Sequence, residues 1–130
     1  MPVGALGLAG FGRDRRLLTP EDYRRVFSAR QRVSQDGLAL AWCESPAARS
    51  RLGLAIAKRQ IRRAHERNRI KRIAREAFRA RARKLPPVDL VLMAHTQVEQ
   101  LDGRALRQAL DELLDRVSIK FDRQVASPKS

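Results

Sequence analysis

The sequence has little cysteine and no long apolar run. Its single cysteine, Cys43, cannot form an intramolecular disulfide or a cysteine-based zinc site, and its place in an apolar run predicts a buried thiol. No apolar run approaches the roughly 20 residues that a membrane span requires. Residues 1–12 also lack the early cationic region of a signal peptide. We therefore expect a protein of the reducing cytoplasm.

Acidic residues are also scarce. The 130 residues contain 28 lysines and arginines against 14 aspartates and glutamates, which gives a formal charge of +14. Such an excess predicts a polyanionic partner, and both nucleic acids and anionic membrane surfaces satisfy that condition. The length and the 43% hydrophobic content are those of one domain with an ordinary core.

The first half of the chain predicts one helix and two strands. Thr19 and Pro20 favour a helix start, as an N-cap and a first helical residue. Residues 38–43 and 52–57 alternate bulky with small side chains, which is typical of strands with one bulky and one small face. The short connection "SPAARS" between them favours an antiparallel hairpin.

The second half predicts a helix, a strand and a helix. A long helix covers residues 58–84, before the pair Pro86 and Pro87. Residues 88–95 form a strand that is apolar on both faces and therefore central or well covered. Asp102 caps a last helix with one apolar stripe. The stripe consists of Leu106, Leu110, Leu113, Leu114 and Val117.

The predicted order is α-β-β-α-β-α, which argues for an α+β domain with helices layered on a small sheet. The folded part spans residues 15–117. Residues 1–14 and 118–130 are predicted to be flexible tails, because they lack a regular hydrophobic pattern.

Residues 58–84 carry most of the positive charge. They contain 13 lysines and arginines and two acids, Glu66 and Glu76, which is +11 of the total +14. One helical stripe is apolar and seats the helix on the sheet; it consists of Ile70, Ile73, Ala74, Ala77 and Phe78. The rest of the circumference displays Arg67, Asn68, Arg69, Lys71, Arg72, Arg75 and Arg79. Arginine suits phosphate through its planar fork, and Asn68 can read a base edge or a 2′-hydroxyl.

A basic helix has other uses, which the sequence favours less. A solvated surface helix normally intersperses acids among its cations, and this one has only two. Insertion into a DNA major groove is compatible with the charge, but neither a heptad stripe nor a helix-turn-helix follows the run. The alanine-rich apolar stripe is short of the large side chains that membrane-surface helices use.

The first helix and the small strand faces predict a second surface. Tyr23 and Phe27 are four residues apart and lie on one helical face. They either pack into the core or stack on an unpaired base. The strand alanines, Ala39 and Ala41 among them, leave room for a groove beneath this helix, where single-stranded nucleic acid would fit.

No catalytic cluster is visible. Phosphodiester hydrolysis by a protein usually needs carboxylates on metal ions or a paired acid and base. His65 lies among arginines and His95 ends the third strand, and nothing in the sequence brings them together. Asp22, Asp36 and Asp89 are scattered, with ordinary cap, turn or strand-edge explanations. The sequence therefore predicts a binding protein.

The stretch "AIAKRQIRRAHERNRIKRIAREAFR" resembles the signature of the bacterial ribonuclease P protein subunit, whose hallmark is an Arg-Asn-Arg helix, here Arg67, Asn68 and Arg69. The resemblance extends from "RLLTPEDYRRVF" to "LDGRALRQALDELL", over residues 15–117. It implies a two-layer α/β sandwich in which the helix joins two parallel neighbouring strands by a left-handed crossover, against the general preference. It also implies the non-catalytic protein subunit of a ribozyme endoribonuclease, which removes the 5′ leader of precursor tRNA.

The resemblance assigns two surfaces. The catalytic RNA would bind Lys58, Arg59, Arg63, Arg67, Asn68, Arg69, Lys71, Arg72 and Arg75. The 5′ leader would lie against Tyr23, Phe27, Ala39 and Ala41. Mg²⁺ is expected to be held mainly by the RNA and the substrate, with none bound tightly by the protein alone. The expected partners are the catalytic RNA and precursor tRNA, with no membrane and no obligate protein partner.

Two alternatives stay open. The charge alone also fits a general structured-RNA-binding or ribosome-associated protein with no role in cleavage. A protein-only nuclease would have to use His65 or His95.

Overall fold

The computed structural model describes residues 15–17 and 19–126. The predicted tail over residues 1–14 and the last four residues of the predicted tail over 118–130 therefore lie outside the described residues. Helices and strands alternate in an α+β fold, and the predicted fold class is confirmed. In chain order the elements are α1 Pro20–Ser28, β1 Arg32–Gln35, β2 Leu38–Glu44, β3 Arg51–Ala55, α2 Ala64–Arg81, β4 Val88–Ala94, a 3₁₀ helix Thr96–Gln100 and α3 Gly103–Ala126.

The predicted helix starts of α1 and α3 are confirmed. Thr19 Oγ1 accepts a hydrogen bond from the Asp22 backbone N–H at 3.1 Å, and Pro20 occupies the first turn of α1. Asp102 Oδ1 accepts one from the Ala105 N–H at 2.8 Å. These side chains satisfy N–H groups that have no partner within a helix.

The four strands form one mixed sheet in the order β1-β2-β4-β3. β4 lies between β2 and β3, antiparallel to the first and parallel to the second, so its predicted central position is confirmed. The predicted direct hairpin between β2 and β3 is wrong, because β4 separates them. β4 is buried along its length except at Met93, and two flanking strands satisfy backbone groups that water does not reach.

The structure adds one strand, β1, to the predicted order. β1 pairs antiparallel with β2, with Gln35 opposite Leu38. The two residues between them, Asp36 and Gly37, have φ angles of 53° and 88°, as a type I′ turn requires. Asp-Gly is a strong hairpin signal, but only Val33 of the four residues of β1 is buried. The strand therefore lacks the hydrophobic pattern by which strands are recognised.

α2 connects β3 to β4, which are the parallel neighbours that the resemblance implied. The helix runs from Ala64 to Arg81, so it is shorter at both ends than the predicted 58–84. A turn precedes it, in which the Gln60 N–H donates to the Ala57 carbonyl at 3.1 Å. The left-handed sense of the crossover stays a prediction.

β2 and β3 each have one bulky and one small face, as predicted. We call the bulky side, covered by α2 and α3, the α2/α3 face; its strand side chains include Leu38, Leu40, Trp42, Leu90 and Leu92. On the other side, the α1 face, α1 packs through Val26 against Ala41, Cys43 and Val91. Burial of the Cys43 thiol is thereby confirmed.

The last helix is longer than predicted. Its apolar stripe is confirmed, since all five residues are buried: Leu106, Leu110, Leu113, Leu114 and Val117. The helix continues to Ala126, so residues 118–126 are helical and not a tail. Phe121 packs against the core, and the Gln124 amide donates to the Gln31 side-chain oxygen, which fastens this extension beside β1. No helix in the described part of the chain is long and apolar enough to cross a membrane.

Candidate nucleic-acid interface

α2 turns its apolar stripe inward and its cations outward. The predicted stripe is confirmed, since all its members are buried: Ile70, Ile73, Ala74, Ala77 and Phe78. On the outer side Asn68 and Arg72 are exposed, and Lys71 and Arg75 are half-buried. Further exposed cations lie at the helix N-cap and on the loop before it. We call the whole set the basic surface: Lys58, Arg59, Arg63, Asn68, Lys71, Arg72 and Arg75.

The two arginines of the Arg-Asn-Arg motif, which are not included in the basic surface, also stabilise the fold. Arg67 Nη1 donates to the carbonyls of Ile61 and Arg62, both at 2.8 Å. Arg69 donates to Glu66 Oε1 at 3.1 Å and to the Leu101 carbonyl at 3.1 Å. Both side chains therefore brace loops on either side of the helix, and replacing them would disturb structure as well as charge.

Acids compensate only a part of this charge. Glu66 lies 3.0 Å from Arg69, and Glu76 lies 3.6 Å from Arg72. Five cations of the basic surface have no ion pair with any described residue: Lys58, Arg59, Arg63, Lys71 and Arg75. Like charges on one helix repel each other, and phosphate groups can relieve that repulsion.

A cleft of about 220 Å³ lies beside α2, between α1 and the edge strand β3. We call it the tyrosine cleft. Its lining combines one aromatic ring with cations: Arg16, Leu17, Tyr23, Leu52, Gly53, Leu54, Lys71 and Arg75. Because Lys71 and Arg75 also belong to the basic surface, the tyrosine cleft and the basic surface are continuous.

Tyr23 is fixed against the edge of β3. Its hydroxyl accepts a hydrogen bond from the Leu54 N–H at 3.1 Å. The ring lies against Gly53, where an added Cβ would be 2.7 Å from the Tyr23 hydroxyl oxygen, so only glycine leaves the room. On the same edge the Leu17 N–H donates to the Leu52 carbonyl at 3.2 Å. These contacts cover an otherwise free strand edge and hold the ring at the cleft.

The other predicted leader residues lie elsewhere. Phe27 is 39% exposed on α1 and does not line the tyrosine cleft. Ala39 and Ala41 are only 2% and 3% exposed, so the groove predicted above them is not open. Val26 packs against Ala41, because small strand side chains allow α1 to come close and a packed interior leaves few voids.

A buried ion cluster also joins α1 to the sheet, and the sequence reasoning missed it. Asp89 is 0% exposed on the central strand, not at a strand edge as predicted. Arg51, opposite it on β3, donates to both carboxylate oxygens, at 2.9 and 2.8 Å. Arg25 of α1 pairs with the same carboxylate and with Asp22, the latter at 3.0 Å. The available signal was an aspartate within an apolar strand, because a buried charge needs a partner.

The cluster shifts the ionisation of its members. Burial tends to raise the pKa of Asp22, but hydrogen bonds, led by that from Arg25, and the charge of Arg51 hold the pKa below its usual value. The hydrogen bonds to Asp89 raise the pKa of Arg51. Burial raises the pKa of the Cys43 thiol, which keeps it protonated and unreactive.

The two histidines lie on different elements, and His65 Nε2 is 3.9 Å from Glu66 Oε2. His65 is in the first turn of α2 and His95 follows β4, and both are exposed. No three His, Cys, Asp or Glu side chains in the described part of the chain are placed to hold a metal ion. The carboxylates of Asp89 and Glu66 are engaged by arginines, so these residues do not fit the oxygen-ligand set that Mg²⁺ prefers.

The fold and its surfaces define a class, which is a small α+β domain that presents a cationic helix beside an aromatic cleft. The chain belongs to the ribonuclease P protein family, whose model matches residues 11–118. It is 45% identical to the ribonuclease P protein component of Photorhabdus laumondii and 44% identical to that of Escherichia coli, in each case over 106 residues. Each match covers 82% of this chain and 89% of the relative. These relatives are protein subunits of an endoribonuclease.

Solved structures show the same fold. The RNase P protein of Staphylococcus aureus matches with a TM-score of 0.74 at 21% identity, over 81% of this chain and 96% of that one. The RNase P protein of Thermotoga maritima matches with a TM-score of 0.68 at 25% identity, over 78% of this chain and 96% of that one. The strand and helix order is therefore that of this family.

Proposed function

We propose that this protein binds the catalytic RNA of a cytoplasmic ribonuclease P and the 5′ leader of precursor tRNA, and so assists Mg²⁺-dependent removal of the leader. The RNA supplies the chemistry. The observation that carries the proposal is the continuity of the basic surface with the tyrosine cleft, through Lys71 and Arg75. Membership of the ribonuclease P protein family supports the identity of both RNA partners.

The basic surface docks the catalytic RNA. Its unpaired cations neutralise backbone phosphates and release counterions, which makes the affinity depend strongly on salt. Asn68 is exposed within this surface, and its amide can donate and accept at a base edge or a 2′-hydroxyl. Arg67 and Arg69 act mainly by positioning, because their guanidinium groups are bonded to backbone carbonyls.

The tyrosine cleft takes the single-stranded leader. Stacking of one base on the Tyr23 ring gives affinity without strict sequence choice, while Lys71 and Arg75 meet the neighbouring phosphates. Ala39 and Ala41 are buried and contribute little contact surface. The proposed leader site therefore lies beside the edge strand β3, and not above Ala39 and Ala41 of β2 as the sequence predicted.

Mg²⁺ stays with the RNA and the substrate in this proposal. No three acidic, histidine or cysteine side chains of the described residues are grouped to hold a metal ion, so no step is assigned to a metal ion on the protein. The protein instead lowers the Mg²⁺ requirement, because its cations offset part of the repulsion between the two RNA molecules.

The test is cleavage of a leader-bearing precursor tRNA by a bacterial ribonuclease P RNA at low Mg²⁺, with and without the protein. We expect the protein to restore cleavage and Lys71→Gln with Arg72→Gln to weaken the effect. Tyr23→Ala should weaken binding of leader-bearing precursor and leave leaderless tRNA unchanged. Binding of the RNA with no gain in cleavage, and equal competition by unrelated structured RNA, would support the general RNA-binding alternative instead.

A further inference from the structure

A second group of cations lies at the far edge of the sheet from the tyrosine cleft. It surrounds a cavity of about 370 Å³ where the start of β1 meets the last turns of α3. The lining contains four cations and no acid: Arg30, Gln31, Arg32, Trp42, Lys120, Arg123 and Gln124. Because β1 and β3 are opposite edges of the sheet, this far-edge site is separate from the tyrosine cleft.

The absence of acids distinguishes the far-edge site from the cavity at the start of α2. That cavity is also lined by arginines, but Glu66 and Glu99 share its wall and reduce its positive potential. In the far-edge site all four cations are exposed. None of them has an ion pair with a described residue. Four like charges around one cavity repel each other unless an anion enters it.

The walls of the far-edge site are held by hydrogen bonds. The Gln124 amide donates to the Gln31 side-chain oxygen, and the Gln31 amide donates to the Trp42 carbonyl at 3.1 Å. The backbone N–H of Trp42 donates to the Gln31 backbone carbonyl at 3.0 Å. The indole N–H of Trp42 is buried without a hydrogen-bond partner among the described residues. Such a donor is costly when unpaired.

Local structure explains only a part of this charge. Arg123 lies in the last turn of α3, where the helix dipole favours a cation. Arg30 follows the end of α1 with a φ of 55°, a left-handed conformation that glycine usually supplies at a helix end. An arginine there carries a backbone cost that glycine would avoid. Arg32 and Lys120 lie away from helix ends and have no such local reason.

We propose that Arg30, Arg32, Lys120 and Arg123 form a second RNA-binding site, which takes backbone phosphates. The proposal rests on the function proposed above and extends it to the opposite edge of the sheet. Arginine and lysine without acids bind phosphate irrespective of base sequence. The helical extension over residues 118–126 then has a role, because it carries half of the site.

The test compares Arg32→Gln, Arg123→Gln and the double variant with the wild-type protein. Two affinities are measured over a KCl series: that of the protein for the catalytic RNA, and that of the reconstituted holoenzyme for leader-bearing precursor tRNA. Each substitution should weaken one of these two affinities by roughly 3- to 10-fold. The plot of log affinity against log KCl concentration should become less steep by about one. Arg104→Gln is the matched control, since Arg104 is exposed on the same helix outside the cavity.

The outcomes separate the possible sources of phosphate. A loss confined to the catalytic RNA assigns the site to that RNA, and a loss seen only with the holoenzyme assigns it to the precursor. Arg32→Lys and Arg123→Lys should retain most of the affinity, because they retain the charge. Melting temperatures of the glutamine variants should not fall below that of the wild type, because removing a cation relieves repulsion. A loss of affinity then reports the contact and not unfolding.

The inference is overturned if the double variant binds both RNAs as tightly as Arg104→Gln does. If Lys71→Gln with Arg72→Gln loses affinity in the same assay, the proposed function survives that result and only the far-edge site is rejected. If the wild-type protein does not stimulate cleavage at all, the proposed function itself fails, whatever the far-edge variants do.

Discussion

The two faces of the sheet are held by different forces. On the α2/α3 face, Trp42 of β2 and Phe78 of α2 are large side chains buried in one core between the sheet and the helices. On the α1 face the strand side chains are small, and α1 is held by Val26 and by the ion cluster around Asp89. The comparison teaches that small strand residues here do not leave a vacant groove. They bring α1 close enough for Arg25 to reach Asp89.

The largest expected effect is on the α2/α3 face. Phe78 is buried, so Phe78→Ala should remove roughly 3–5 kcal/mol from the free energy of unfolding, through lost burial and a residual cavity. The loss in unfolding free energy is measured by urea denaturation. Phe27→Ala, at a ring that is 39% exposed, is the control and should cost less than half as much. Equal losses would mean that the faces do not differ in this way.

The next effect tests the ion cluster of the α1 face. Asp89→Asn leaves Arg51 and Arg25 without their buried counter-charge and should cost about 3 kcal/mol of unfolding free energy. Asp36→Asn makes the same chemical change at an exposed turn and should have little effect. If the two variants unfold at the same urea concentration, α1 is held by Val26 and its neighbours alone.

Gly53→Ala tests whether close approach on the α1 face positions the cleft. The new Cβ would be 2.7 Å from the Tyr23 hydroxyl oxygen, so the ring must move. Affinity for leader-bearing precursor should fall toward that of Tyr23→Ala, a loss of roughly 1–3 kcal/mol for one stacked base. Both are measured by titration of the holoenzyme.

A double-variant cycle makes the Gly53→Ala test specific. In a Tyr23→Ala background, Gly53→Ala should cause little further loss, because the clash with the ring is gone and only the 3.1 Å contact with Leu17 Cδ1 remains. Gly103→Ala is the control, since its nearest neighbour would be Ile73 Cδ1 at 3.8 Å. A loss that persists without the Tyr23 ring would show that Gly53 acts through the strand and not through the ring.

The smallest effect is expected from Tyr23→Phe. It removes the hydrogen bond from the Leu54 N–H, which should cost about 1 kcal/mol of unfolding free energy. The ring stays, so leader affinity should change by less than about 2-fold, because the stacking surface is unchanged. Leader affinity as low as that of Tyr23→Ala would point to the hydroxyl, and not the ring, as the contact.

Features that depend on neighbours three or four residues away were predictable. The Thr19 cap, the apolar stripe of α2 and the apolar stripe of α3 all follow from positions within one helix. Strand pairing was less predictable. The β2–β3 hairpin was expected from their closeness in the chain, but β4 arrives from beyond α2 and takes the place between them.

The sequence by itself determined the excess of charge, the basic helix and the resemblance that led to the family. Only the tertiary structure decided which side chains share a site. It places Lys71 and Arg75 in one cleft with Tyr23, joins Asp89 to Arg25, and buries Ala41 beneath α1. The reason is physical: these contacts depend on strand register and on how closely helices pack, and both are set by residues far apart in the chain.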